Sequence, residues 1–151
     1  MRSHRFIAAG AIALIPSLLV MPAFAETATI APGFLPNPIT IKGVAGGAID
    51  AVSLVNRQST PTGECTGFTK REPHLTLTLR AFFNALSIRV QSEEDTALVI
   101  EGPGGVWCND DEDNKNPGIA GQWLPGTYKI WVTTYAKDRT PAYTLRIRES
   151  R

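Results

Sequence analysis

Between residues 75 and 148 apolar side chains recur at every second position, and that spacing admits one kind of secondary structure. Leu75, Leu77 and Leu79 alternate with Thr76, Thr78 and Arg80, and Leu86, Ile88 and Val90 alternate with Ser87, Arg89 and Gln91. Tyr143, Leu145 and Ile147 repeat the pattern against Thr144, Arg146 and Arg148. A strand sends successive side chains to opposite faces, so a period of two marks one buried and one outward face. The apolar run Thr96–Ile100 ends at Gly102-Pro103-Gly104-Gly105, and Pro125-Gly126 turns into Thr127–Tyr135. Val106-Trp107-Cys108 is a strand stub. No stretch beyond residue 75 carries a 3.6-residue stripe. Short alternating strands broken by Gly/Pro turns predict an all-β, antiparallel β-sandwich of jelly-roll type in a single domain, residues 26–151.

The region before residue 75 is less periodic. Residues 26–42 are rich in Pro and Gly and read as an extended lead-in whose Thr-Ile pairs suit a short edge strand. The glycines of GVAGGAIDAVSLV oppose a long helix, leaving residues 52–55 as a short strand or a turn of helix. Residues 56–73 read as a surface segment.

The chain opens MRSHRFIAAGAIALIPSLLVMPAFA. Two arginines, an apolar run and the small-x-small Ala23-Phe24-Ala25 predict a signal peptide over residues 1–25, cleaved before Glu26. The run is short for a membrane span, and nothing later resembles one, so no transmembrane segment is expected after cleavage. The destination is the periplasm or the exterior. Losing Arg2 and Arg5 leaves 13 basic against 14 acidic residues, moving the formal charge from +1 to −1. Scattered basic residues in a near-neutral chain give no footprint for nucleic acid.

Cys65 and Cys108 are the two cysteines. In an oxidising compartment two thiols most simply form one disulfide, which would close a separation of 43 residues. A thiol metal site would require more Cys or His, and His74 is the one histidine beyond the leader. His74 is also the sole candidate base for a nucleophilic triad, and no serine stands in a G-x-S-x-G elbow. Adjacent carboxylates on one loop do not make a glycosidase pair. The expectation is a protein that is not an enzyme, with a hydrolase as the reading that His74 keeps open.

The run WCNDDEDNKNPG supplies Asp110, Asp111, Asp113, Asn114 and Asn116 within a few positions, and Asp95 ends the polar turn SEED. Ca²⁺ takes six to eight oxygens, and clustered carboxylates repel one another without a cation. The spacing departs from an EF-hand loop, since Lys115 stands where a ligand belongs. Ca²⁺ binding and a solvated polar loop are therefore the two readings. Trp107 and Trp123 flank the loop and would anchor it. Trp131 falls in the outward register opposite Tyr128, Ile130 and Val132, where it either packs beneath the 107–124 loop or, with Trp107, offers a platform to a glycan or peptide.

The pattern DTALVIEGPGG, VWCNDDEDN, NPGI, GQWLPGTYKIWV, AYTLRI across residues 95–147 resembles the bacterial pre-peptidase C-terminal (PPC) domains. Those are small secreted β-sandwiches of jelly-roll type that accompany exported proteases and other proteins. The resemblance implies Asp95, Asp110 and Asp111 as Ca²⁺ ligands. The chain as a whole is expected to be a non-catalytic exported module that binds or stabilises a partner, an envelope protein or a glycan. The Cys65/Cys108 pair is not a general feature of that family.

Overall fold

The computed structural model describes residues 25–112 and 114–150. The predicted signal peptide, save Ala25, and Asp113 lie outside the described residues.

In chain order the elements are β1 (Glu26–Ile30), β2 (Ile39–Val44), β3 (Ile49–Asp50), α1 (Ala51–Val55), β4 (Ser59–Thr60), β5 (Gly63–Glu64) and β6 (Phe68–Thr69). They continue with β7 (Leu75–Leu79), β8 (Phe83–Ser92), β9 (Thr96–Gly102), β10 (Gly105–Asn109), β11 (Gly118–Trp123), β12 (Gly126–Thr134) and β13 (Ala142–Glu149). Strand β12 is the spine of the larger sheet. It pairs with β7 and, at Thr134, with β6 along one edge, and with β9 along the other, while β10 extends the sheet beyond β9. The second sheet runs β11-β8-β13-β2. Pairing is antiparallel with one exception: β1 lies parallel to β7, Glu26 opposite Leu75. The lead-in thus supplies two strands, because β1 caps one sheet and β2 edges the other.

The alternating residues meet between the sheets. Leu77, Ile100 and Ile130 from one sheet and Ile88, Leu145 and Ile147 from the other are fully buried in one apolar cluster. The larger sheet is covered on its outer face too. Ala51, Cys65, Val99, Cys108 and Trp131 form a second buried cluster there, with Leu54 and Val55 of α1 packed against it. Residues 45–70 lay this cover across β9 and β12. Asp50 caps α1, its Oδ2 accepting from the Ser53 amide at 2.9 Å, and Asn56 ends it at φ 52°. Gly67 sits at φ +86° where a Cβ would lie 2.6 Å from the Thr134 carbonyl oxygen, so the segment crosses β12 on bare backbone.

The Cys65–Cys108 disulfide is formed, joining this cover to β10. Among the described residues no helix is long and apolar enough to cross a membrane.

Candidate functional site

The sandwich has two chemically different ends. At one, β10 runs out through Asn109 into the acidic loop, beside the start of β9 and the end of β12. At the other lie the turns 102–105 and 124–126.

At the acidic end the sequence-predicted ligands separate into three groups. Asp95, Asp110 and Asp111 line one cavity of about 300 Å³ with Glu64, Thr66 and Tyr135. Partial burial and then the neighbouring Asp111 and Asp110 push the Asp95 carboxyl above its ordinary range, with Lys115 opposing them. Asn116 is a brace instead of a ligand: its Oδ1 accepts from the Ser92 amide at 3.0 Å, and its carbonyl accepts from the Glu112 amide. Asn114 stands at φ 55°, in the left-handed turn of the loop. Glu112 leaves the acidic group to meet Arg89 at 2.7 Å, and Lys115 donates to the Glu93 carbonyl. Asn109 fixes the base of the loop, accepting from the Gly118 amide and donating to the Thr62 carbonyl. Among the described residues no three His, Cys, Asp or Glu side chains are gathered closely enough to hold a metal ion. The arrangement gathers negative charge at one end of the sandwich without a protein-built cage.

Trp131 corrects the platform reading. It is 3% exposed, roofed by the 45–70 segment, and its Nε1 donates to the Arg71 carbonyl at 3.2 Å. Its register is outward, but that face of the sheet is buried. Trp107 behaves differently. It is half-buried against the main core, stacked at a tilt 6.3 Å from Trp123 and 6.3 Å from Tyr128. Trp123 meets Tyr128 edge-on at 5.1 Å. These rings, with Pro103, Ile119 and Leu124, line a cleft of about 230 Å³ between the edge strands β10 and β11. Leu124 and Phe82 at this end are 51% and 46% exposed. The Trp123 indole donates to the Leu86 carbonyl and the Tyr128 hydroxyl to the Leu124 carbonyl. The Trp107 indole has no hydrogen-bond partner among the described residues. Sequence reasoning treated Trp123 as an anchor; the cleft emerges because Trp123 reaches across from the other sheet.

His74 is a structural brace. It is 5% exposed, its ring meets Tyr143 edge-on at 5.8 Å, and its Nδ1 accepts from the Val132 amide at 3.1 Å. Burial first, and Lys70 second, lower its pKa from 6.5 to about 4, the Val44 carbonyl opposing. The unfolded chain therefore takes up this proton at higher pH than the folded one. The resulting stability is complete above pH 6.5 and is lost as pH falls through 4, a change of about 3 kcal/mol. Thermal melts of wild type and His74→Asn between pH 7 and 3.5 should show the wild-type curve falling more steeply across that window. Parallel curves would contradict the assignment.

No protein-family model matches the chain. It is 38% identical over 47 residues to an uncharacterized protein of Synechococcus elongatus, a match covering 31% of this chain and 35% of that protein. The chain thus matches about a third of the length of that relative. Among solved structures it is similar to the pre-peptidase C-terminal domain of a collagenase from Bacillus anthracis, with 14% identity, TM-score 0.46, and 82% of this chain and 95% of that one covered. It is also similar to PliG of Aeromonas hydrophila, a periplasmic lysozyme inhibitor of g-type lysozyme, with 13% identity, TM-score 0.45, and 83% and 98% covered. The fold is an all-β sandwich.

Proposed function

We propose that this chain is a non-catalytic, exported binding module that takes a flat apolar group, an aromatic side chain or a sugar ring, in the Trp107–Trp123–Tyr128 cleft. The observation that carries this reading is Trp107: a half-buried ring on the cleft wall whose N–H makes no hydrogen bond among the described residues and is not sealed from solvent. At about 230 Å³ the cleft is smaller than pockets that enclose whole drug-sized molecules, so it suits one ring of a larger partner. A disulfide-bonded chain with a signal-like leader supports a role outside the cytoplasm, toward an envelope protein or glycan. The test is saturation-transfer NMR with 4-methylphenol and methyl β-glucoside at millimolar concentration. Transfer from wild type should fall at least tenfold in Trp107→Ala, and equal transfer from both proteins contradicts the reading.

A second reading keeps Ca²⁺ at the acidic end, favoured by the cavity that Asp95, Asp110 and Asp111 share, where partial burial and then the two neighbouring carboxylates raise the Asp95 carboxyl. Those three side chains would have to draw closer together around the ion. A ligand that binds only the folded state raises its stability by mass action. Melts in EDTA and then in rising Ca²⁺, with Mg²⁺ as control, should show a saturable calcium-specific rise that Asp110→Ala or Asp111→Ala abolishes. Asp95→Asn separates charge relief from ligation: it should raise the melting temperature in EDTA and diminish the response to Ca²⁺. No shift at millimolar Ca²⁺ makes the run a solvated loop.

A further inference from the structure

We propose that the outer edge of β11 receives an extended peptide from a partner protein as an added strand, with one large apolar side chain of that peptide seated in the Trp107–Trp123 cleft. This deepens the cleft reading above and rests on it. Strand β11 ends its sheet and pairs with β8 alone. Among the described residues, the backbone of Ile119–Gln122 makes no hydrogen bond outside that ladder. A free row of N–H and C=O groups is a template for another strand, and edges are ordinarily defended by charge, proline or a covering segment. The opposite edge of this sheet, β2, carries Lys42, whereas β11 reads GIAGQW without a charge or a proline. The register shift between Gly121 and Trp123 leaves Gly118–Gly121 of β11 as its regular stretch for pairing. Its outward residues Ala120 and Gly121 are small and exposed, and a Cβ built on Gly121 meets nothing within 4 Å.

The facing edge strand, β10, is defended over part of its length. Thr60 Oγ1 accepts from the Cys108 amide at 3.0 Å, and Thr62 Oγ1 donates to the Cys108 carbonyl at 2.8 Å. Among the described residues, 105–107 are left without such cover, and of these Trp107 lines the cleft. An extended chain laid along β11 would therefore run beside an apolar recess walled by Ile119 and Trp123 of the same strand. Backbone pairing would give affinity and the recess would select the side chain.

A peptide fits this surface better than a second copy of the chain. The large residues of β11, Ile119 and Trp123, are 6% and 5% exposed in its own core. The exposed residues that a second β11 strand would itself offer, Ala120, Gly121 and Gln122, include no large apolar side chain to fill the cleft. A sugar alone would leave the edge row unpaired.

The test is a random nine-residue peptide display library selected on the full oxidised protein. Enriched sequences should carry a recurrent large apolar residue and bind at least tenfold more weakly to Trp107→Ala and to Leu124→Ala, the latter a change at an exposed position. Each winner is then synthesised in two forms, N-methylated at alternate residues in one register or the other. Strand addition requires that one form binds as the parent does and the other loses at least tenfold, since alternate amides face the edge. Equal binding by both forms overturns strand addition and leaves the cleft reading standing. A library without enrichment overturns strand addition as well, the ring probes still deciding the cleft. Self-association through β11, seen by sedimentation velocity, would replace the peptide with a second copy and also overturn the proposal.

Discussion

Replacing Cys65 and Cys108 together by alanine is expected to lower stability by about 3–4 kcal/mol, the loop-closure entropy of a 43-residue separation. For a domain of this size that corresponds to a drop of roughly 10–15 °C in melting temperature. Both sulfurs are buried, at 2% and 0% residue exposure, so a packing loss adds to the entropic one. The bond also fastens the 45–70 cover to β10, and the Thr60 and Thr62 hydroxyls that satisfy Cys108 lie on that cover. Hydrogen exchange in the double variant should therefore accelerate first in β4, β5 and residues 61–67, while β8 and β13 remain protected. Uniform loss of protection would mean that the cover is not a separable unit.

Trp131→Ala is expected to cost about 3–5 kcal/mol, the range for deleting a large buried aromatic side chain. The alternation of β12 places Trp131 on the outer face, where a solvent platform would tolerate the change within about 0.5 kcal/mol. Denaturant unfolding decides between these magnitudes directly. Trp131 packs in one cluster with both cysteines, so its loss and the loss of the disulfide should not add. The triple variant should be less destabilised than the sum of its parts.

The strands that were legible are those whose two faces differ in polarity. Residues 75–79, 86–90 and 143–147 show it plainly, and each supplies the core where the sequence places it. Strand β11 escaped because a register shift between Gly121 and Trp123 breaks the period, and its middle residues are small or polar. The cover over Trp131, residues 45–70 and not the 107–124 loop, was illegible for a different reason. Alternation reports which face a side chain takes and is silent on what covers that face. The cover comes from residues 45–70, which have no periodicity of their own and hold their place by the disulfide, Gly67 and an Asp50 cap. The acidic run was legible as composition and not as geometry. Successive residues of a turn point in different directions, so Asp110 and Asp111 join Asp95 while Glu112 leaves for Arg89 and Asn116 braces Ser92. The cleft needed both sheets, since Trp107 and Trp123 are brought together by tertiary packing alone.

The central claim is that a ligand enters the cleft and that, of the three tryptophans, Trp107 alone offers it an indole N–H. It is tested by following the three indole N–H signals of ¹⁵N-labelled protein while 4-methylphenol is added. Trp123 and Trp131 donate to the Leu86 and Arg71 carbonyls, so their signals should stay nearly still or, for Trp123, move slightly with the ring current. The Trp107 signal should shift progressively and saturate. A Trp107 signal that does not move, or movement led by Trp131, would contradict the account.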